Sequence, residues 1–102
     1  FFNTGIEVAI PDGYFGALAI RSSLACKHGL MLANSLGIID SCYRGPVKAK
    51  LVNIGRRPYT INPGARIAQL LIIPCVHATF VQVDELPESD RGTGGFGSTG
   101  AQ

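Results

Sequence analysis

The stretch NSLGIIDSCYRGPVKAKLVN, residues 34–53, decides how the rest of the sequence is interpreted. Gly37 marks a turn, and two branched apolar residues then lead directly to a carboxylate, Asp40, with an aromatic residue, Tyr43, three positions later. From Val47 to Val52 apolar and basic residues alternate, which is typical of a half-buried strand. On these residues alone Asp40 is as readily a turn residue as a carboxylate at the edge of a pocket.

The composition indicates one globular domain. The 102 residues are 46% hydrophobic and 16% charged, unlike a disordered chain. A net charge of +2 is too small to favour nucleic acid or an anionic membrane as a partner. The longest apolar run, from Ile67 to Cys75, is interrupted by Gln69 and is far too short to span a bilayer. We therefore expect no nucleic-acid or membrane partner.

The three cysteines, Cys26, Cys42 and Cys75, are separated and lack zinc-ligand spacing. Their odd number excludes a closed disulfide framework and favours reduced thiols in a cytosol-like compartment. The sequence opens at Phe1 within a strand-like pattern, so we expect it to be a piece of a longer chain.

Short apolar segments recur between turn signals such as Pro11-Asp12-Gly13, which predicts an all-β sandwich or barrel with no long amphipathic helix. Gly16 indicates either a bulge or a close backbone approach. Arg21-Ser22-Ser23 is interpreted as a strand end, and Lys27-His28-Gly29 as a loop. The predicted strands cover residues 4–10, 14–20, 47–52, 59–61, 66–73 and 76–83, with a short apolar run at 30–32.

From Pro87 onward the composition changes, and residues 91–102, RGTGGFGSTGAQ, contain five glycines. Such a segment cannot pack a core, so we expect residues 87–102 to be mobile without a ligand. Glycines let backbone N–H groups converge on an anion, although no Walker loop is present. A flexible linker is the alternative, but Arg91 can bind phosphate in a bidentate manner and Phe96 can stack on a base.

Two other features have both an ordinary and a functional interpretation. The Arg21-Ser22-Ser23 segment is either a polar strand end or a cradle for a triphosphate. Gln69, the polar residue of an apolar run, is either a core amide bonded to backbone or a donor directed into a ligand site. His28 and His77 have no triad partners in the sequence and are interpreted as structural.

Four of these segments, in this order, resemble the motifs of the trimeric dUTPase family over nearly the whole chain. IRSSLACKHGL is similar to the family's second motif, GIIDSCYRG to its third, GARIAQLLIIP to its fourth and RGTGGFGSTG to its fifth. The resemblance implies a jelly-roll or β-clip fold with a core at residues 1–86. It also implies a C-terminal lid at residues 87–102 and a homotrimer with active sites between subunits.

The resemblance implies hydrolysis of dUTP to dUMP and pyrophosphate by attack of water on the α-phosphorus. Asp40 matches the carboxylate that orients and deprotonates the water, and Tyr43 matches the ring that packs on the deoxyribose. Mg²⁺ is the implied cofactor, held through substrate phosphates and water rather than by protein ligands. The implied location is the cytoplasm, or the nucleus or mitochondria of a eukaryote. The matched substrate-binding residues are Arg21, Ser22, Ser23, Asn34, Gly37, Ile39, Tyr43, Gln69, Arg91, Phe96, Gly97, Ser98 and Thr99.

Three departures from the family pattern keep alternatives open. The first motif, with its metal-supporting Asp, has no counterpart here. Cys42 stands where another Asp is usual, and Pro46 stands where Glu or Gln is common. The alternatives are a dCTP deaminase of the same fold and a non-catalytic dUTPase-like protein that binds nucleotide or a partner.

Overall fold

The computed structural model describes residues 1–95 and Gly97, and the fold of this part of the chain is all-β, as predicted. A single short helix interrupts the strands in the described residues. The elements are β1 (Phe2–Glu7), β2 (Tyr14–Ile20), α1 (Ser22–His28), β3 (Leu30–Leu32), β4 (Gly37–Ile39), β5 (Pro46–Ala49), β6 (Leu51–Asn53) and β7 (Ala68–Pro74).

The β2 strand is the centre of a three-stranded antiparallel sheet, with β4 on one side and β7 on the other. Its sequence, YFGALAI, has no charged residue, as expected for a central strand with both edges paired. Ala17 and Leu18 are buried within it. Because β4 pairs with the middle of β2, the position of Asp40, directly after β4, is fixed by this sheet.

Gly16 is a site of close approach, not a bulge. The register of β2 with β4 and with β7 runs through Gly16 without interruption. A Cβ atom there would lie 2.8 Å from Ile10 Cδ1 and 3.2 Å from both Ile39 Cβ and Leu70 Cδ1. The absent side chain therefore lets three apolar side chains meet over β2. Ile10 and Ile39 belong to the hydrophobic core, together with Leu18, Leu32, Val47 and Ala49.

The strand predicted from Val47 to Val52 is divided into two at Lys50. Its first half, β5, pairs with β1, and its second half, β6, pairs with β3. The carbonyl oxygen of Lys50 accepts a hydrogen bond from the Ala33 N–H (2.8 Å). The predicted alternation itself is observed, with Val47 and Ala49 buried and the two lysines exposed. The chain thus passes from one sheet to the next without changing its hydrophobic face.

The β2 strand ends at Ile20, directly before Arg21, as predicted, but α1 then begins at Ser22 where no helix was predicted, and it replaces most of the loop predicted at Lys27–Gly29. Gly29 ends the helix in the left-handed conformation (φ 69°). Backbone N–H groups at this C-terminal cap donate to the Ala25 and Leu24 carbonyls. Seven residues with one buried side chain, Leu24, are too few to produce a helical periodicity in the sequence. Neither α1 nor any other described segment forms a helix long and apolar enough to cross a bilayer.

The prediction of strands at residues 59–61 and 76–83 is wrong: neither segment belongs to a ladder. We call residues 75–86 the arm. Its apolar side chains are strongly exposed, with Val76 at 91% and Phe80 at 98%. A strand needs a hydrogen-bonding neighbour, and the described part of this chain pairs with the arm only at its first residue, where the Cys75 N–H donates to the Gly13 carbonyl (2.8 Å). The radius of gyration is 18.9 Å, against about 13 Å expected for a compact domain of this length.

Candidate active site

A cavity of about 240 Å³ lies where the loop after β4 faces β5, and we call it the nucleoside cavity. It brings together a carboxylate, an amide, a phenol ring and a primary amine around an apolar floor of Leu18 and Val47. These groups can read the polar edge of a planar base and pack on a sugar. Five residues predicted from the sequence line it: Asn34, Gly37, Ile39, Asp40 and Tyr43.

Asp40 lies at the start of a tight loop whose backbone is held by several hydrogen bonds. The Tyr43 N–H donates to the Asp40 carbonyl (3.1 Å). The Arg44 guanidinium donates to the carbonyls of Ser41 (2.6 Å) and Tyr43 (3.1 Å). The Ser41 hydroxyl donates weakly to Asp12 (3.5 Å), which connects the loop to the turn before β2. The Asp40 side chain is exposed and free to meet a water molecule or a substrate.

The turn before β4 forms the opposite wall of the cavity. Ser35 has a left-handed backbone (φ 64°), which is uncommon for a residue other than glycine. Gly37 is buried against Leu18, and a Cβ at Gly37 would lie 3.1 Å from Leu18 Cβ. The left-handed backbone of Ser35 and the absence of a side chain at Gly37 allow a tight turn. This turn places Asn34 on the same cavity as Asp40.

Lys48 lines the nucleoside cavity and was missed by the sequence analysis. It lies on the polar face of β5, where an exposed lysine is ordinarily a solvated residue. A signal was available in the sequence. Side chains two apart in a strand share a face, and Pro46, two residues before Lys48, directly follows the Tyr43-Arg44-Gly45 segment.

Arg21 and Gln69 do not reach the nucleoside cavity. They line a second groove of about 710 Å³ between β1 and the segment that enters β7, which shares only Leu18 and Val47 with the nucleoside cavity, and we call it the arginine groove. The Arg21 guanidinium donates to the Arg66 carbonyl at 3.4 Å. Gln69 is exposed, which excludes the alternative of a core amide. Ser22 and Ser23 are exposed in the first turn of α1, next to Arg21 but outside the residues that line either cavity.

Only part of the predicted C-terminal contacts can be located. Arg91 is exposed, and its carbonyl accepts the Gly94 N–H (3.1 Å). The Gly92 N–H donates to the Ser89 hydroxyl (3.1 Å), and Gly97 lies in a turn. Phe96, Ser98 and Thr99 lie outside the described residues. Arg91 is not among the residues that line the nucleoside cavity or the arginine groove.

The described residues offer no protein cage for a metal ion. Across residues 1–95 and Gly97 no three His, Cys, Asp or Glu side chains come together in an arrangement that could hold one. Cys26, Cys42 and Cys75 are free thiols, and Cys42 is exposed on the Asp40 loop. A cation at this site would therefore need ligands other than this set of side chains.

Comparison with known proteins gives one consistent result. The dUTPase family profile matches residues 1–100. The deoxyuridine 5'-triphosphate nucleotidohydrolases of Cutibacterium acnes and Dinoroseobacter shibae are 50% and 55% identical, each over 95% of this chain. The dUTPase of Staphylococcus bacteriophage 80alpha, solved with dUPNHPP, is 31% identical with a TM-score of 0.80, over 97% of this chain and 74% of that one.

This structural likeness confirms the predicted dUTPase-like β fold. The chain spans 64% and 63% of the length of these two bacterial relatives. The family profile extends over nearly every residue, through all four motif-like segments. The chain therefore belongs to the dUTPase family.

Proposed function

We propose that this chain hydrolyses dUTP to dUMP and pyrophosphate, with Asp40 as the general base. The observation that carries the proposal is that Asp40, Asn34 and Tyr43 line the same cavity, the nucleoside cavity. A carboxylate, an amide and a phenol ring within one small cavity match a bound deoxynucleoside whose phosphates extend out of the open side of the cavity. The names of the similar bacterial proteins support the same reaction.

In the proposed reaction Asp40 accepts a proton from a water molecule as that water attacks the α-phosphorus. A bond forms between the water oxygen and the α-phosphorus, and the bond to the bridging oxygen breaks, so that pyrophosphate leaves. A positioned general base contributes about 10²- to 10⁴-fold. Asp40 is suited to this role because it is exposed on a loop whose backbone is fixed by the Arg44 guanidinium.

Substrate choice is assigned to the two walls of the cavity. Asn34 and the backbone from Gly37 to Ile39 would bind the polar edge of uracil, and Tyr43 would pack on the deoxyribose and exclude a 2′-hydroxyl. A buried donor or acceptor left without a partner costs about 1–3 kcal/mol, which disfavours cytosine at a site built for uracil. Lys48, on the same cavity, adds a positive charge beside the nucleotide.

A homotrimer would complete the site. In one chain Arg21 and Gln69 do not line the nucleoside cavity, although the arginine groove shares Leu18 and Val47 with it, and we propose that another copy brings these two side chains to the phosphates. The arm supports association, because Val76, Phe80, Val81 and Leu86 are each more than three-quarters exposed. Burying these side chains against another copy would remove apolar surface from water, which favours association.

Mg²⁺ belongs to the proposal as an ion carried by the substrate. The described side chains form no metal cluster, and Mg²⁺ commonly binds through substrate phosphates and water. When bound it offsets the charge of the phosphates. The steps assigned to this chain do not pass through the ion: Asp40 takes the proton, and Tyr43 and Asn34 orient the nucleoside.

Residues 87–102 are proposed to act as a lid that closes over the bound nucleotide, with Arg91, Ser98 and Thr99 on the distal phosphates and Phe96 over the base. Deleting residues from Arg91 onward should leave a folded protein that still binds dUMP but barely hydrolyses dUTP. Thermal protection by dUMP and pyrophosphate release are the two measurements. An unchanged rate of hydrolysis would remove the lid from the mechanism.

The proposed function is tested by incubating the protein with dUTP and Mg²⁺ and measuring pyrophosphate, with dCTP in a parallel reaction. Release of pyrophosphate from dUTP alone is the expected result. Ammonia from dCTP would instead identify a deaminase. Binding of dUTP without pyrophosphate release at saturating Mg²⁺ would identify a non-catalytic nucleotide-binding protein.

A further inference from the structure

The Tyr43 hydroxyl is held by the backbone of its own loop. It donates to the Pro46 carbonyl at 2.8 Å, three residues further along the chain. Pro46 opens β5, where its ring fixes φ and its carbonyl lies at the start of a paired strand. The phenol is therefore tied to a rigid part of the sheet, although 43% of the residue is exposed.

Gly45 provides the space that this arrangement requires. A Cβ at Gly45 would lie 2.5 Å from the Tyr43 hydroxyl oxygen, 2.7 Å from Cζ and 3.0 Å from Cε1. These distances are well inside van der Waals contact, so any side chain at Gly45 would displace the hydroxyl end of the ring. The ring occupies the volume that a side chain would otherwise fill.

The backbone of Gly45 does not itself require glycine. Gly45 is not among the glycines with positive φ, unlike Gly29 at the end of α1 or Gly13 before β2. Alanine is therefore compatible with the conformation of the loop. The constraint on Gly45 comes from the Tyr43 side chain, and the tip of a side chain can move where a backbone cannot.

We propose that Gly45 is a positioning residue for sugar selection. Because Gly45 has no side chain, the Tyr43 ring can lie over it and bond to the Pro46 carbonyl. In this position the ring leaves room for a deoxyribose in the cavity but not for the 2′-hydroxyl of a ribose. This inference rests on the proposed function, since it names the residue that sets the substrate class of that same cavity. Gly45 is not among the residues that line the nucleoside cavity, so it would act through Tyr43 alone.

The test is the ratio of kcat/KM for dUTP to kcat/KM for UTP. Gly45→Ala should lower this ratio by roughly ten- to a hundred-fold, because a displacement of about 1 Å at a positioning group has effects of that size. Loss of folding stability alone would lower both rates together and leave the ratio unchanged. A ratio within two-fold of wild type in folded Gly45→Ala protein would overturn the inference.

A double-mutant cycle shows whether Gly45 acts through Tyr43. Tyr43→Ala should lower the ratio, and the double variant Tyr43→Ala/Gly45→Ala should lower it no further. Multiplicative effects of the two substitutions would overturn the inference. Gly13→Ala is the matched control, since it strains a left-handed glycine before β2 whose Cβ would meet no atom within 4 Å, and it should lower stability with the ratio preserved.

Two further measurements test the inference if the Gly45→Ala variant does not fold or if the wild-type protein does not hydrolyse dUTP. Should Gly45→Ala not fold, Tyr43→Phe keeps the ring, removes the bond to Pro46 and should still reduce discrimination by several-fold. Should wild type release no pyrophosphate, the proposed function fails, and thermal protection by dUMP relative to UMP replaces the rates. Equal protection of wild-type protein by the two nucleotides would overturn the inference.

Discussion

The nucleoside cavity and the arginine groove differ in how the sequence builds them. The cavity is lined almost entirely by residues 34–48, so β4 with its flanking loops and the strand after it supply nearly every group. The groove combines residues 2–6, Arg21 and residues 61–70, which are far apart in the sequence. One stretch of sequence is enough to form the cavity, whereas the groove needs three. In the proposed trimer the cavity would bind the nucleoside of one substrate, and the groove of another copy would bind its phosphates.

Asp40→Asn should give the largest effect on the nucleoside side of this comparison. The amide cannot accept the proton of the attacking water, so dUTP hydrolysis should fall by about 10²- to 10⁴-fold. Protection by dUMP should stay near wild type, because the cavity keeps its shape. Asp12→Asn is the control, since Asp12 makes only a 3.5 Å contact with the Ser41 hydroxyl. Near-normal turnover in Asp40→Asn would exclude Asp40 as the base.

Mixing two inactive variants tests whether the cavities of different copies cooperate. Asp40→Asn keeps its arginine groove, and Arg21→Ala keeps its nucleoside cavity. If each site draws on two copies related by rotation, about a quarter of the sites in a randomly mixed trimer regain both groups. Pyrophosphate release should therefore recover after co-refolding of equal amounts. Absence of recovery in verified mixed trimers would mean that each chain completes its own site.

The arm provides a third test of whether the nucleoside cavity and the arginine groove of different copies act together. Phe80 is 98% exposed in the single chain, so Phe80→Asp should leave the fold of an isolated copy nearly unchanged. In an assembly, burial of the Phe80 ring is worth about 1.5–3 kcal/mol per copy. We expect Phe80→Asp to shift the protein from trimer toward monomer in light scattering and to abolish hydrolysis while dUMP still binds.

Ile54→Asp is the matched control for the arm, because Ile54 is also exposed (70%) but follows β6. It should leave the oligomeric mass unchanged. A trimer that survives Phe80→Asp would show that the arm does not hold the copies together.

The parts of the molecule that were predicted correctly depend on local pattern. The β2 and β7 strands and the turn at residues 11–13 all follow from neighbouring residues in the sequence. The residues from Asn34 to Tyr43 that line the cavity were matched through the resemblance to the dUTPase motifs, and they lie together because they are close in sequence.

The features that were missed depend on partners distant in sequence. Nothing in the alternation of residues 47–52 marks the change of partner at Lys50, because the same face stays buried on both sides of the break. The α1 helix depends on its contact with the following hairpin: a Cβ on Gly29 would lie 2.6 Å from the Gly55 nitrogen. Residues 76–83 alternate like a strand but lack a neighbouring strand among the described residues.

Substitutions of Ser35 should give the smallest effects. They test whether the turn that carries Asn34 is rigid before a nucleotide binds. Its left-handed backbone (φ 64°) costs about 1–2 kcal/mol for an L-residue. Ser35→Gly removes this strain but makes the unfolded chain more flexible, so the free energy of unfolding should change by less than about 1 kcal/mol. Ser35→Val cannot adopt this conformation easily and should lower both stability and protection by dUMP. Denaturant unfolding with and without dUMP measures both effects. If Ser35→Val instead unfolds and binds dUMP like wild type, the turn is free to choose another conformation, and the wall that carries Asn34 is not fixed before the nucleotide arrives.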